Sequence, residues 1–449
     1  MSTVQAVPAP ARATREQRRQ LRLVVVSSFL GSVIEYYDFL IYASMSGLVF
    51  NAIFFSNLDP VTGTIASFAT LAAGYFARPI GGVIFGHFGD RIGRKKMLYW
   101  SLTIMAGVSF LIGCLPTSEQ IGGFAALLLV TLRLGQGIAI GGEWGGAVIM
   151  TGEHAKKHRG FWTSFTSAGI PTGAALATGT IALVSGLMST EDFLSWGWRV
   201  PFWASIVLLA VGILVRMQVR ESPIFEKEVE RTGARRRFPF GVVLAKHWRP
   251  FLIGIGFTLA QFVVTTIIGA FILAFGPQQG FAPQEIVLVV AIANIVSVPV
   301  LLAWGALSDR IGRRTVIIIG SVATIVMAFA LFAATSSGSI VLVGLAVTAL
   351  TAVCSGPIAA VATSAVPELF PTEVRYSGAS FTFQTAGALG GLAPLIFTSI
   401  LAGTNGDTLP VSIIVAALAV VAIVATLMTR ETAKSSLGAR VDESEAPIQ

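Results

Sequence analysis

Five ionisable residues stand inside long apolar runs: Glu35, Asp38, Arg78, Arg133 and Glu143. A charge in hydrocarbon costs roughly 2.5–3.5 kcal/mol even on the lenient scale, so such groups need partners and usually have a task. Glu35, Asp38 and Tyr42 are spaced i, i+3 and i+7, which puts all three on one helix face. Arg133 and Gln136 are spaced i, i+3 in another run. At about 1.5 Å of rise per residue, Glu35, Asp38 and Arg133 come near mid-membrane, and Arg78 and Glu143 lie closer to one end. The spacing predicts two layers: a central cluster of Arg133 with Asp38 and Glu35, and a second pair of Arg78 with Glu143. The chemistry open to the central cluster is proton exchange coupled to anion binding. An incompletely paired carboxylate in a low-dielectric site can take up a proton near neutral pH. Arginine stays charged and grips a carboxylate through two N–H groups. Protonating Asp38, or in second place Glu35, would release Arg133 to hold an organic anion. Static salt bridges inside the first half are the bland alternative for both layers.

The elements that must position these groups follow from hydropathy. The chain is 54% hydrophobic and 12% charged, against about 25% charged in a usual soluble domain. Runs near the roughly 20 residues of a membrane helix recur through the chain. They predict twelve helices, near 23–50, 62–86, 96–115, 121–150, 160–187, 197–219, 250–275, 285–306, 314–335, 338–364, 376–403 and 408–430. The expected organisation is a tail at 1–21, a six-helix bundle at 22–219, a cytoplasmic linker at 220–249, a second bundle at 250–430 and a tail at 431–449. Both tails are expected to be disordered and cytoplasmic.

An internal repeat supports two halves. Gly86-His87-Phe88-Gly89-Asp90-Arg91-Ile92-Gly93-Arg94 returns as Gly305-Ala306-Leu307-Ser308-Asp309-Arg310-Ile311-Gly312-Arg313, about half a chain length further on. Glu153 and Arg159 are echoed by Glu368 and Arg375. Gly93 and Gly312 suit a tight reversal between helices. Asp90 and Asp309 suit a helix N-terminus. A charge network closing the cytoplasmic face is expected from Asp90, Arg91, Arg94, Glu153 and Arg159 with Asp309, Arg310, Arg313, Glu368 and Arg375. The ionisable groups inside the helices are less symmetric, for the second half has none. It offers neutral Gln261, Thr265, Asn294 and Gln384, which join Arg133, Gln136 and Tyr42 as candidate substrate contacts.

The formal charge of +8 would suit nucleic acid, but its distribution argues otherwise. All lysines and arginines except Arg78, Arg133 and Arg199 fall on one side of a twelve-helix topology, and that bias sets both termini inside. Cys114 and Cys354 lie in apolar runs without metal spacing. No phosphate-binding loop of the Gly-x-x-x-x-Gly-Lys type occurs, which argues against an ATP-driven pump. Nothing points to an enzyme or to a cofactor.

The loop from Gly86 to Lys96 resembles the signature loop of the major facilitator superfamily, and Arg133-Leu134-Gly135-Gln136-Gly137 resembles its helix-four motif. Glu35-Tyr36-Tyr37-Asp38-Phe39, Phe76-Ala77-Arg78-Pro79, Gly141-Gly142-Glu143-Trp144 and Trp196-Gly197-Trp198-Arg199 are similar to the metabolite:proton symporter family, closest to its shikimate-type members. The resemblance implies an all-α membrane protein, with twelve transmembrane helices in two pseudo-symmetric six-helix bundles that rock about a central cavity. It implies a multi-pass carrier of the inner or plasma membrane, working as a monomer on the proton gradient. The expected activity is import of a small organic anion, shikimate-like or another mono- or dicarboxylate, by proton symport. A facilitator, an efflux antiporter or an importer of a zwitterion such as betaine are alternatives; a non-transporting sensor fits least.

Overall fold

The apolar runs become helices. The computed structural model describes residues 15–92, 94–141, 143–155, 157–217, 239–371 and 374–433, among which no strand occurs. Eleven helices among them are long and apolar enough to cross a bilayer, and a shorter apolar one, Tyr99–Gly113, supplies the twelfth. In chain order they are α1 (Arg15–Leu48), α2 (Pro60–Ile92), α3 (Arg94–Gly113), α4, α5 (Arg159–Gly186), α6 (Ser205–Met217), α7, α8 (Pro283–Ile311), α9 (Arg313–Ser336), α10, α11 and α12 (Leu409–Leu427).

Five of the twelve are interrupted, the sixth by way of a 3-10 turn at Gly197–Arg199 and a short helix Val200–Trp203 ahead of Ser205–Met217. The fourth is α4a (Phe124–Ile140) and α4b (Trp144–His154), parting at Gly141. The eleventh is Arg375–Gly390 followed by Ala393–Gly403. The seventh runs over Trp248–Thr266, a π segment at Ile267–Phe271, and Ile272–Gln278. The tenth likewise holds a π segment, Leu350–Ser355, between Ile340–Ala349 and Gly356–Glu368.

Packing repeats with a period of six helices. α1 lies along α5 as α7 lies along α11; α2 packs on α4a as α8 packs on α10; α3 packs on α6 as α9 packs on α12. Two seams join the bundles, α5 with α8 and α2 with α11. In lipid the helices gain little from burying apolar surface, so close van der Waals contact must hold them. A Cβ on Gly137 would sit 2.1 Å from the Gly74 carbonyl oxygen, and one on Gly141 would sit 2.1 Å from that of Arg78. The glycine ridge of α4 is therefore what lets α2 lie against it.

Several expectations are corrected. α1 begins at Arg15, inside the segment expected to be a disordered tail. The linker ends in a helix, Pro239–Lys246, whose Val243 is fully buried against the second bundle. Glu431 and Thr432, expected in the other tail, are held by hydrogen bonds described below. Residues 1–14, 218–238 and 434–449 lie outside the described residues.

Candidate functional site

α1 carries the central charges, and the first bundle encloses them. Asp38 is completely buried and Glu35 nearly so. One carboxylate oxygen of Asp38 accepts a short hydrogen bond from the Ser205 hydroxyl of α6. The other, Oδ2, has no hydrogen-bond partner. Gln136 of α4a donates 2.7 Å to Ser109 of α3 and 3.3 Å to the Asp38 backbone carbonyl. Its own carbonyl accepts a short bond from Arg133 Nη1. Arg133 and Asp38 are thus brought together through Gln136, and they form no ion pair. This corrects the direct pairing expected from spacing.

The arginines pair with rings instead. The Arg133 guanidinium carbon lies 3.9 Å from the Phe39 ring centroid and 4.1 Å from that of Tyr42. The Arg78 guanidinium carbon lies 3.7 Å from Phe39 and 4.5 Å from Tyr75. Phe39 therefore meets two guanidinium groups, and cation–π attraction of about 2 kcal/mol or more in a desolvated site replaces ion pairing. Nε and Nη2 of both arginines are buried without hydrogen-bond acceptors. Arg78 and Glu143, expected to pair, are both buried, Glu143 at the start of α4b. Tyr42 donates its hydroxyl 2.6 Å to Thr70.

A cavity of about 490 Å³ lies between the bundles. Leu40 lines it from α1, Pro171 from α5, Gln261, Thr265 and Gly269 from α7, Asn294 and Ser297 from α8, and Thr351 and Ser355 from α10. No ionisable side chain lines it among the described residues. Of the expected substrate contacts, Gln261, Thr265 and Asn294 face this space. Arg133, Gln136, Tyr42 and Gln384 are buried elsewhere, the first three inside the first bundle and Gln384 on α11.

The end of the molecule bearing the repeated loop is closed. Asp309, at the end of α8, accepts 2.9 Å and 3.0 Å hydrogen bonds from the Gly160 and Phe161 backbone N–H groups. It caps α5 of the other bundle, where the positive end of the helix dipole favours an anion. Glu368 binds Arg313 at 3.1 Å and Arg159 at 3.5 Å, so it too joins the bundles. Arg375 donates 3.3 Å to the Phe370 carbonyl and lines the small space behind this pair. Gly312 has φ +100°, a conformation that favours glycine, as the expected reversal requires. Arg310 is exposed. The side chains of Asp90, Arg91, Arg94 and Glu153 are outside what is described, as are the surroundings of Gly86 and the whole of Gly93.

Sequence reasoning missed three groups. Ser109 and Ser205 hold the Asp38 neighbourhood but are ordinary serines in sequence. Thr351 and Ser355 reach the cavity from the π-helical part of α10. Glu431 accepts the backbone N–H groups of Arg313 and Arg314 at 3.0 Å and 3.1 Å, capping α9, and Thr432 bonds Glu368. Burial raises the Glu431 carboxyl, but N–H bonds from Arg313, Ala433, Arg314 and Thr432 outweigh this and leave it below its ordinary value. A signal did exist for this pair: Arg430-Glu431-Thr432 echoes Arg220-Glu221-Ser222 after the sixth helix.

The family model described as Major Facilitator Superfamily matches residues 28–393 and 253–449. The inner membrane metabolite transport protein YhjE of Escherichia coli (strain K12) is 41% identical over 433 residues, covering 92% of this chain and 95% of that protein. The shikimate transporter of the same organism is 37% identical over 421 residues, covering 92% and 95%. The glycine betaine/proline/ectoine/pipecolic acid transporter OusA of Dickeya dadantii (strain 3937) is 31% identical over 428 residues, covering 93% and 85%. Among solved structures, the proton:xylose symporter XylE bound to 6-bromo-6-deoxy-D-glucose superposes with TM-score 0.70 at 18% identity, covering 93% of this chain and 97% of that one. At that identity the likeness concerns the fold alone.

Proposed function

The chain belongs to the Major Facilitator Superfamily, and from that premise we propose that this multi-pass membrane transporter imports a small organic anion together with a proton. The observation that carries the reading is Asp38: a fully buried carboxylate with one oxygen bonded to Ser205 and the other unbonded, on a residue linked through Gln136 to the Arg133 guanidinium. Three carboxylates, Glu35, Asp38 and Glu143, and two guanidinium groups are buried in the first bundle. Adding a proton to Asp38, or alternatively to Glu35, removes one negative charge there. The cavity holds no charge of its own among the described residues, so an anion in it answers to that change across α1, whose consecutive residues Phe39 and Leu40 face the guanidinium groups and the cavity. In low-dielectric protein such forces are screened far less than in water.

Alternating access then has a simple mechanical basis. Residues 22–219 and 250–430 move as two bodies, with the Asp309 cap and the Glu368 pairs closing one face. We place that face and both termini in the cytoplasm of an inner or plasma membrane, and take the carrier to work as a monomer on the proton gradient without a cofactor. The test is uptake of labelled shikimate, α-ketoglutarate and glycine betaine into proteoliposomes with an imposed pH gradient. We expect a protonophore to collapse uptake and Asp38→Asn to uncouple it. Uptake indifferent to the protonophore would sink the symport reading.

A further inference from the structure

The cavity between α1, α5, α7, α8 and α10 has an unusual polar balance. Gln261 is 2% exposed, and its Oε1 is buried without a hydrogen-bond partner. The hydroxyls around it have already given their protons to the backbone. Thr265 donates to the Gln261 carbonyl at 2.9 Å, Ser297 to Asn294 at 2.8 Å and Thr351 to Val347 at 3.0 Å. Asn294 spends an amide N–H on Val290 at 2.8 Å. What these groups offer an occupant is therefore mixed: acceptors in the Gln261 amide oxygen and the hydroxyl lone pairs, donors in the Gln261 amide N–H groups and the remaining Asn294 N–H. Thr351 sits in the π segment of α10, and Gly269, also lining the cavity, sits in that of α7. Single-turn π insertions are frequent at functional sites.

We propose that this cavity reads hydroxyl groups, so that the cargo is a compact hydroxylated metabolite, with Gln261 as the residue that determines the preference. The proposal rests on the reading of the chain as a carrier that holds its cargo between the bundles. Leaving a buried acceptor unpaired carries a desolvation penalty, and a hydroxyl removes it by donating. A hydroxyl also accepts, so it suits the Gln261 amide whichever way the amide group is turned. An occupant with acceptors only, such as a bare carboxylate or a betaine, leaves the Gln261 oxygen and the hydroxyl lone pairs unanswered.

The experiment uses the full-length protein, purified in detergent, with thermal shift as the readout. The probes are shikimate and myo-inositol, which bear hydroxyls, and cyclohex-1-ene-1-carboxylate and glycine betaine, which bear none. The first of these hydroxyl-free probes is shikimate without its hydroxyls. We expect a hydroxylated probe to stabilise the protein and its hydroxyl-free counterpart to do little. Gln261→Leu should abolish the effect, and Gln261→Asn, which shortens the reach, should weaken binding by about tenfold. The proposal is overturned if only hydroxyl-free probes stabilise, if no probe does, or if both variants bind as the parent does. Proton movement with the bound probe, measured separately in proteoliposomes, distinguishes the two readings. A hydroxylated probe carried without protons ends symport but leaves the Gln261 preference standing.

Discussion

Replacing Asp309 with alanine should open the face that carries the repeated loop. Its carboxylate takes two backbone N–H bonds of 2.9 Å and 3.0 Å from Gly160 and Phe161, the first turn of α5. Loss of such a cap costs about 0.5–2 kcal/mol, and bonds to a charged group stand at the upper end of the hydrogen-bond range. Asp309 is only partly buried, so about 1–2 kcal/mol is a fair figure, a factor of roughly 5–30 in an equilibrium. Because the donors belong to one bundle and the acceptor to the other, the loss falls on the closed arrangement rather than on either bundle alone. The reporter is a cysteine at Ser364, which lines the space of about 350 Å³ beside Arg159 and Glu368, in a background with Cys114 and Cys354 replaced. Its labelling by a membrane-impermeant maleimide from the loop side should speed up by roughly 5–30-fold, the same factor as the equilibrium. Asp309→Asn keeps an acceptor oxygen and should fall between. Unchanged labelling in a folded Asp309→Ala protein would refute the claim that this cap holds the face shut.

Two further outcomes are expected from the packing and the charges. Gly141→Ala should be poorly tolerated, since its Cβ would meet the Arg78 carbonyl at 2.1 Å and the Gly82 nitrogen at 2.5 Å, while Gly179→Ala meets nothing within 4 Å. Melting of the purified proteins should show a loss of about 2 kcal/mol or more for the first, in the range of overpacking, and little change for the second. The Glu431 cap on α9 should be acid-sensitive. Its carboxyl lies below its ordinary value when folded, so its contribution is complete above the usual glutamate value of about 4.3. It disappears as pH falls through the lower folded value. Glu431→Gln should flatten melting temperature against pH in that acid range, and an unaltered profile would count against the cap.

The sequence by itself determined the spans, and it pointed to two halves and to those members of the network at the repeated loop whose contacts are described. These depend on local quantities: the length of an apolar run, the side on which basic residues fall, and a motif that recurs. They placed Asp309 at a helix N-terminus and Glu368 with Arg313 and Arg159 without knowledge of contacts. Only the tertiary structure decided the partners inside the first bundle. Asp38 bonds Ser205, 167 positions away, and Arg133 turns to Phe39, Tyr42 and Gln136. Helical spacing gives the face and depth of a side chain but not which neighbouring helix that face meets. The cavity was out of reach for the same reason. Gln261, Asn294 and Thr351 come from three helices, and Thr351 lies in a π segment that composition does not announce.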